Sequence, residues 1–541
     1  MSRRVLAIGL DGYEPSIGDA LIAAGRMPNL ARLRDRSARF ELEHGAAKRT
    51  GLAWEHVSLG LSPDAAARHA AVHFDRWRYR AVQQGTHAPP LLSRCDLRAL
   101  VFDAPYFDLA RAPNCEGLVS WGAHDAGCAA QSRPSSLAQE IERRFGAYPA
   151  TPFIYGFVWP DPAKTRAMGD ALVRAVDARA AVGSWLVGER FPEWDLALLV
   201  VSELHSVLEG LWHGIDPHHP LHALPSAAPA RKGVEGVYEA VDRLVGTLCD
   251  RAPDAHVVVF SMHGMGPNRS DVPSMLLLPE LLYRAQSGHA GYAPRPEWDA
   301  SPDGVPRLGT DESWSRAVNA RCAPRRSRSP RALAQRAWRR LDLRRPPELA
   351  GERIRWMPAA RYQHCWSEMD AFALPSFYDG RVRINLRGRE RLGRVAPNDY
   401  AARCDEIAEL VGACRDPRTG EPVVEAVERL RGDPLAAGET QADLVFTWRG
   451  AALAFAHPQL GTVGPAPYRR PGGHTGGRGF GYFAGPDARP GDYGIRSAFD
   501  VVPTLLDLCG VAADGISGES LVPAWAAWRS DDTRHPDPRH L

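Results

Sequence analysis

The sequence predicts an α/β layered fold built on a largely parallel sheet, and three observations carry that expectation. Short apolar runs rich in Val, Leu, Ile and Phe stand at residues 5–10, 196–201, 256–261 and 444–446, as expected of strands buried on both faces. Helical patterns lie between them, for example over 237–249, where Val237, Val241, Leu244, Val245 and Leu248 recur at helical spacing. The chain has 541 residues, well beyond the roughly 250–300 at which one core stops growing. It is therefore two domains or one large core with insertions, and alternating strands and helices favour the parallel arrangement.

Composition narrows the class. Hydrophobic residues at 44% and charged residues at 24% are ordinary for a globular protein. A formal net charge of +2 gives no general attraction to nucleic acid or to a membrane surface. Nine scattered cysteines, odd in number and without a CxxC pair, argue against a disulfide framework and for a reducing compartment. The opening MSRRVLAIGLDG is too short in its apolar part for a signal peptide, and no run approaches the ~20 apolar residues that span a bilayer. The expectation is a cytoplasmic protein. The arginine-rich stretch 321–345 reads as a solvated surface insertion, with an anion-attracting rim near a phosphate site as the sharper alternative.

The first three strand candidates lead into chemistry. In open α/β sheets, ligands gather outside the carboxyl ends of the strands. Strand 5–10 runs into Asp11, strand 196–201 into SELHSVLEGLWHGIDPHHP, and strand 256–261 into MHGMGPN with His263. A helix beginning near His205 places His205, Glu209 and His213 at four-residue spacing on one face, and a His and a carboxylate one turn apart can share a cation. A polar helix face is the bland alternative. Glu203 points elsewhere and reads as a ligand, a supporting partner or an exposed acid.

Thr50, in AAKRTGLAWEHVSLGLSP, stands just before a short helix expected from Leu52 or Ala53. A helix N-terminus suits a phosphoryl group, but a Thr hydroxyl needs a metal or base to become a nucleophile. Taken alone, the local sequence favours a helix cap.

With these segments in place, the chain resembles the type I phosphodiesterase/nucleotide pyrophosphatase branch of the alkaline phosphatase superfamily, in particular its bacterial predicted phosphohydrolases and phosphomutases. Asp11-Gly12 matches the opening D-G. The stretch from Thr50 to Pro63 matches T-x-P-A-W-x-S-x-x-T-G-x-x-P, without a gap, in Thr50, Ala53, Trp54, Gly60 and Pro63. LWHGID, VVVFSMHGM, RVRINLRGRE, GGHTGGRGFGYFAGP and SAFDVVPTLLDLCGV resemble later family blocks in the family's order, from residue 5 to about 521. The resemblance implies a three-layer α/β/α alkaline-phosphatase-like sandwich with insertions. We expect one core over 1–541, insertions near 64–190 and 270–375 that carry specificity, and a smaller subdomain near 376–440.

The resemblance also implies the site. Thr50 falls on the nucleophile, which displaces the helix-cap reading. One metal set would be His205, Glu209 and His474; the other would be Asp11, Thr50 and His263, one ligand short because Met262 replaces the family's Asp. Water, Glu203 or Asn268 could fill that gap. The implied cofactor is one or two divalent ions, zinc or alternatively manganese. The implied reaction is hydrolysis of a small-molecule phosphate mono- or diester through a phospho-threonine. Transfer of the phosphoryl group to another hydroxyl, and a non-catalytic relative with a degenerate metal site, are the rival readings. No C/S-x-P-x-R motif stands at Thr50, so a sulfatase is disfavoured.

Overall fold

The computed structural model describes residues 4–155, 161–309, 312–326, 349–512 and 514–526. Nine strands form the main sheet: β1 (Val5–Leu10), β2 (Ala38–Glu43), β3 (Ala99–Phe102), β4 (Cys115–Val119), β5 (Gln131–Arg133), β6 (Leu196–Val201), β7 (His256–His263), β8 (Arg478–Ala484) and β9 (Gly491–Ser497). Their order is β9-β2-β8-β7-β1-β6-β3-β4-β5. β1 lies at the centre, parallel to β6 on one side and β7 on the other. Only β5 and β8 run antiparallel to their neighbours.

β1, β6 and β7 are buried at every residue, as uninterrupted apolar runs require when both faces of a sheet are covered. One face packs against the helices Pro162–Trp185 and Ala227–Arg251 through residues such as Leu172, Val176, Val237 and Leu244. The other packs against Ala53–Leu59 and Val501–Cys509 through Trp54, Val57, Val501 and Leu505. The result is the expected three-layer α/β/α sandwich.

The run at 444–446 lies elsewhere. It forms part of Leu444–Trp448 in a four-stranded antiparallel sheet with Ala371–Leu374, Gly380–Ile384 and Val424–Arg429. This sheet has its own core around Phe372, Ile384, Phe446 and Trp448. A short apolar run does not reveal which sheet it joins, and burial along Leu444–Trp448 alternates as in a half-covered strand. Residues 64–190 contribute β3, β4 and β5 to the main sheet as well as a hairpin, Val72–Asp75 and Arg80–Gln83, in a separate three-stranded sheet. Most of the arginine-rich stretch lies outside the described residues. Among the described residues no helix is long and apolar enough to cross a membrane.

Candidate active site

The adjacency of β6, β1 and β7 places Asp11, His205 and His263 at one carboxyl edge. Asp11 follows β1 and its amide bonds to the carbonyl of Val201 at the end of β6. Gly12 takes φ +71°, and a Cβ there would stand 2.8 Å from the Cα of His205. Glycine therefore lets the turn after β1 close onto the helix Glu203–Leu211. Gly472 does the same from the opposite side: a Cβ there would meet the carbonyl oxygen of Leu208 at 2.0 Å. That approach brings in His474.

The contacts follow from these positions. His205 Nδ1 lies 3.0 Å from Asp11 Oδ2, and because a carboxylate only accepts, the ring nitrogen donates. Its other nitrogen, Nε2, faces Glu209 Oε1 at 3.2 Å and His474 Nε2 at 2.9 Å. Burial alone would raise the pKa of Asp11, but the charge and hydrogen bond of His205 bring it below the ordinary carboxylate range. Burial drives His474 well below the usual imidazole range and His263 down to about 4. Both rings are therefore neutral at pH 7.

Glu209 is wholly buried. Arg470 forms an ion pair with its Oε1, while Oε2 has no hydrogen-bond partner. Arg470 is itself buried and also donates to Asp271, which Arg469 shares. A second acceptor stands opposite the bare oxygen. His124, in the loop between β4 and β5, places Nε2 3.5 Å from Glu209 Oε2 and stacks its ring on His205 at 3.9 Å. Its Nδ1 lies 2.6 Å from the carbonyl of Ile154. Burial holds its pKa down at about 3. His124, His205 and Glu209 have donor atoms all within 4.8 Å of one another. A buried carboxylate oxygen without a hydrogen, facing imidazole lone pairs, fits a divalent cation with nitrogen and oxygen preference.

The Asp11, Thr50 and His263 set has fewer atoms to spare. Asp11 is bonded by His205 and by Trp54. Thr50 ends the turn Gly45–Thr50; its Oγ1 donates to Ala47 O at 2.7 Å and accepts from Leu52 N at 3.2 Å. His263 Nδ1 donates to Gly264 O, and Met262 is buried in the core with Trp54 and Phe260. The residues considered for the gap are also committed. Glu203 is held by Arg179 and Tyr148, and Asn268 bonds Gly472, Ser270 and Asp271 through its side chain. This set does not offer a cation three free donors. His213 turns away to Ser226 at 3.1 Å.

Several residues escaped the sequence reading. His124 lies in WGAHDAG, where no strand-end pattern or family block marked it. Arg470 stands four residues before His474, and the paired arginines of YRRPGGH were a signal in plain view. Tyr378, from the antiparallel region, stacks on His474 at 3.9 Å and would meet a Cβ at Gly51, beside Thr50, at 2.8 Å. Lys48 donates to the carbonyl of Gly476 at 2.7 Å.

Comparison with known proteins agrees with the expected family. Residues 5–327 match the family model described as type I phosphodiesterase / nucleotide pyrophosphatase. A search of curated proteins found no match. Similar solved structures include phosphonoacetate hydrolase from Sinorhizobium meliloti 1021 in complex with phosphonoacetate, at 14% identity over 95% of this chain and 96% of that one, with a TM-score of 0.49. Human ectonucleotide pyrophosphatase / phosphodiesterase 5 is 10% identical over 95% of this chain and 97% of that one, with a TM-score of 0.47.

Proposed function

The chain belongs to the type I phosphodiesterase/nucleotide pyrophosphatase family, and from that premise we propose that it hydrolyses a small-molecule phosphate mono- or diester with Thr50 as the attacking residue. It is a phosphoric ester hydrolase of a family that depends on divalent metal. The observation that carries the reading is the buried Glu209, whose Oε2 has no hydrogen-bond partner among the described residues and whose Oε1 lies 3.2 Å from His205 Nε2, itself 2.9 Å from His474 Nε2. His205, Glu209 and His474 are the residues that would hold the ion, zinc or manganese. A divalent cation at that place lowers the pKa of a nucleophilic oxygen and offsets charge on phosphate oxygens.

The remaining work falls to the chain. Asp11 fixes the tautomer of His205, and Arg470 pairs with Oε1 of Glu209. Tyr378 covers His474 and restricts water on that side. Lys48, two residues before Thr50, keeps two hydrogens beyond the one given to Gly476 and can hold a phosphate oxygen. The carbonyl of Ala47 cannot take the proton of Thr50, so the hydroxyl must turn away from it for attack. The Oγ–P bond then forms as the bond to the leaving alkoxide breaks, the hydroxyl proton passing to water and on to the alkoxide; water later cleaves the Oγ–P bond, restoring the threonine and releasing phosphate from a monoester or a phosphate monoester from a diester. No step is assigned to a second cation at Asp11, Thr50 and His263.

The bonds from Thr50 to Ala47 and Leu52 favour one rival, in which the residue only caps its turn. Turnover of p-nitrophenyl phosphate and bis-p-nitrophenyl phosphate by the metal-supplied Thr50→Ala protein decides between them. The nucleophile reading expects a loss of several orders of magnitude, with part of the rate kept in Thr50→Ser. The capping reading expects about 1 kcal/mol of lost stability and an unchanged rate.

A further inference from the structure

Glu209 Oε2 and His124 Nε2 are two buried acceptors 3.5 Å apart. His124 Nδ1 is spent on the carbonyl of Ile154, and among the described residues Oε2 has no hydrogen-bond partner. Two lone pairs facing each other in a low-dielectric interior repel unless something positive stands between them. Two atoms bonded to one tetrahedral ion at about 2.1 Å stand about 3.4 Å apart, close to the separation here.

We propose that His124 is a further direct ligand of the cation, joining His205, Glu209 and His474. The inference rests on the reading above that a divalent ion is bound. His205 and Glu209 stand one turn apart on the helix Glu203–Leu211, and His124 reaches them from the β4–β5 loop. The Ile154 carbonyl fixes the His124 tautomer so that Nε2 is the free atom, the supporting bond that ligating imidazoles ordinarily make. Arg470 completes the orientation. By taking Oε1 of Glu209 it leaves Oε2 directed at His124. Three imidazoles and one carboxylate select a borderline ion such as zinc, cobalt or manganese over magnesium or calcium.

The full chain, stripped with a chelator, is titrated with cobalt(II) and followed by visible absorption and by competition with a chromophoric chelator. The wild type is expected to bind one cobalt per chain. His124→Ala should weaken binding by more than about 100-fold, beyond the loss from removing a supporting hydrogen bond. His124→Cys should bind cobalt and gain a near-ultraviolet thiolate-to-cobalt charge-transfer band, which arises only if residue 124 bonds the ion; it also reads the answer if the alanine protein does not fold. Retained affinity in His124→Ala, or cobalt bound by His124→Cys without that band, overturns the assignment and leaves the cation site standing. A wild type that binds no cobalt, zinc or manganese overturns the site itself and this inference with it.

Discussion

Glu203 and Glu209 lie on the same helix, both fully buried, and they could hardly be treated more differently. Glu203 receives three contacts of 2.9–3.1 Å from Arg179 and one of 3.0 Å from Tyr148. Arg179 is completed in turn by Asp103 and the carbonyl of Val200. Glu209 has one oxygen on Arg470 and the other on nothing. Burying a charge is costly unless it is paired and hydrogen-bonded, so a saturated cluster holds the fold together and a deficient one marks where something else binds.

The sharpest way to break this contrast is to neutralise each acid in turn. Glu209→Gln should lower turnover about 1,000-fold or more and abolish metal uptake by elemental analysis. Its thermal midpoint in the metal-free protein should fall less than that of Glu203→Gln, because Arg470 loses one contact and keeps Asp271. Glu203→Gln should do the reverse. It strips a partner from the buried Arg179 guanidinium and should cost about 3–5 kcal/mol in urea unfolding, with metal content per folded chain unchanged. If Glu209→Gln keeps its metal, the contrast fails.

Acid sharpens the comparison on histidines outside the site. Burial lowers His213 to about 3 and His219 to about 4. In the unfolded chain both titrate near 6.5, so between about pH 6.5 and 4 the unfolded state binds more protons than the folded one. Stability therefore rises with pH through that window and is lost as pH falls, by up to about 1.4 kcal/mol per unit for each imidazole. Urea midpoints of the metal-free protein at pH 7.5 and 5 measure it. The smallest expected effect is His213→Gln, which loses one bond to Ser226 and should cost about 1 kcal/mol with metal affinity and turnover intact.

The frame of the site was legible because it is periodic. Uninterrupted apolar runs at β1, β6 and β7 marked strands covered on both faces, and the four-residue step from His205 to Glu209 marked a shared helix face. What the pattern could not give was contact between residues far apart in sequence. His124 has no periodic neighbour, and its role depends on where the β4–β5 loop falls over the helix. Arg470 reaches the site because Gly472 lets its segment lie against Leu208, a contact that spacing does not encode. Spacing set Glu203 apart from Glu209 by direction alone, because saturation is a property of packed partners rather than of spacing.

The order of strands has a consequence for how the molecule is made. β2, complete by residue 43, has only β8 and β9 as neighbours, and both come from residue 478 onward. During synthesis β2 waits without a partner while β7 presents an open edge where β8 will insert. Closing so long a loop is entropically slow, and an unpaired apolar edge is a template for pairing with another chain. Until residues 478–497 are made, β2 stands apart from the six strands β7-β1-β6-β3-β4-β5, and β8 is the strand that joins them.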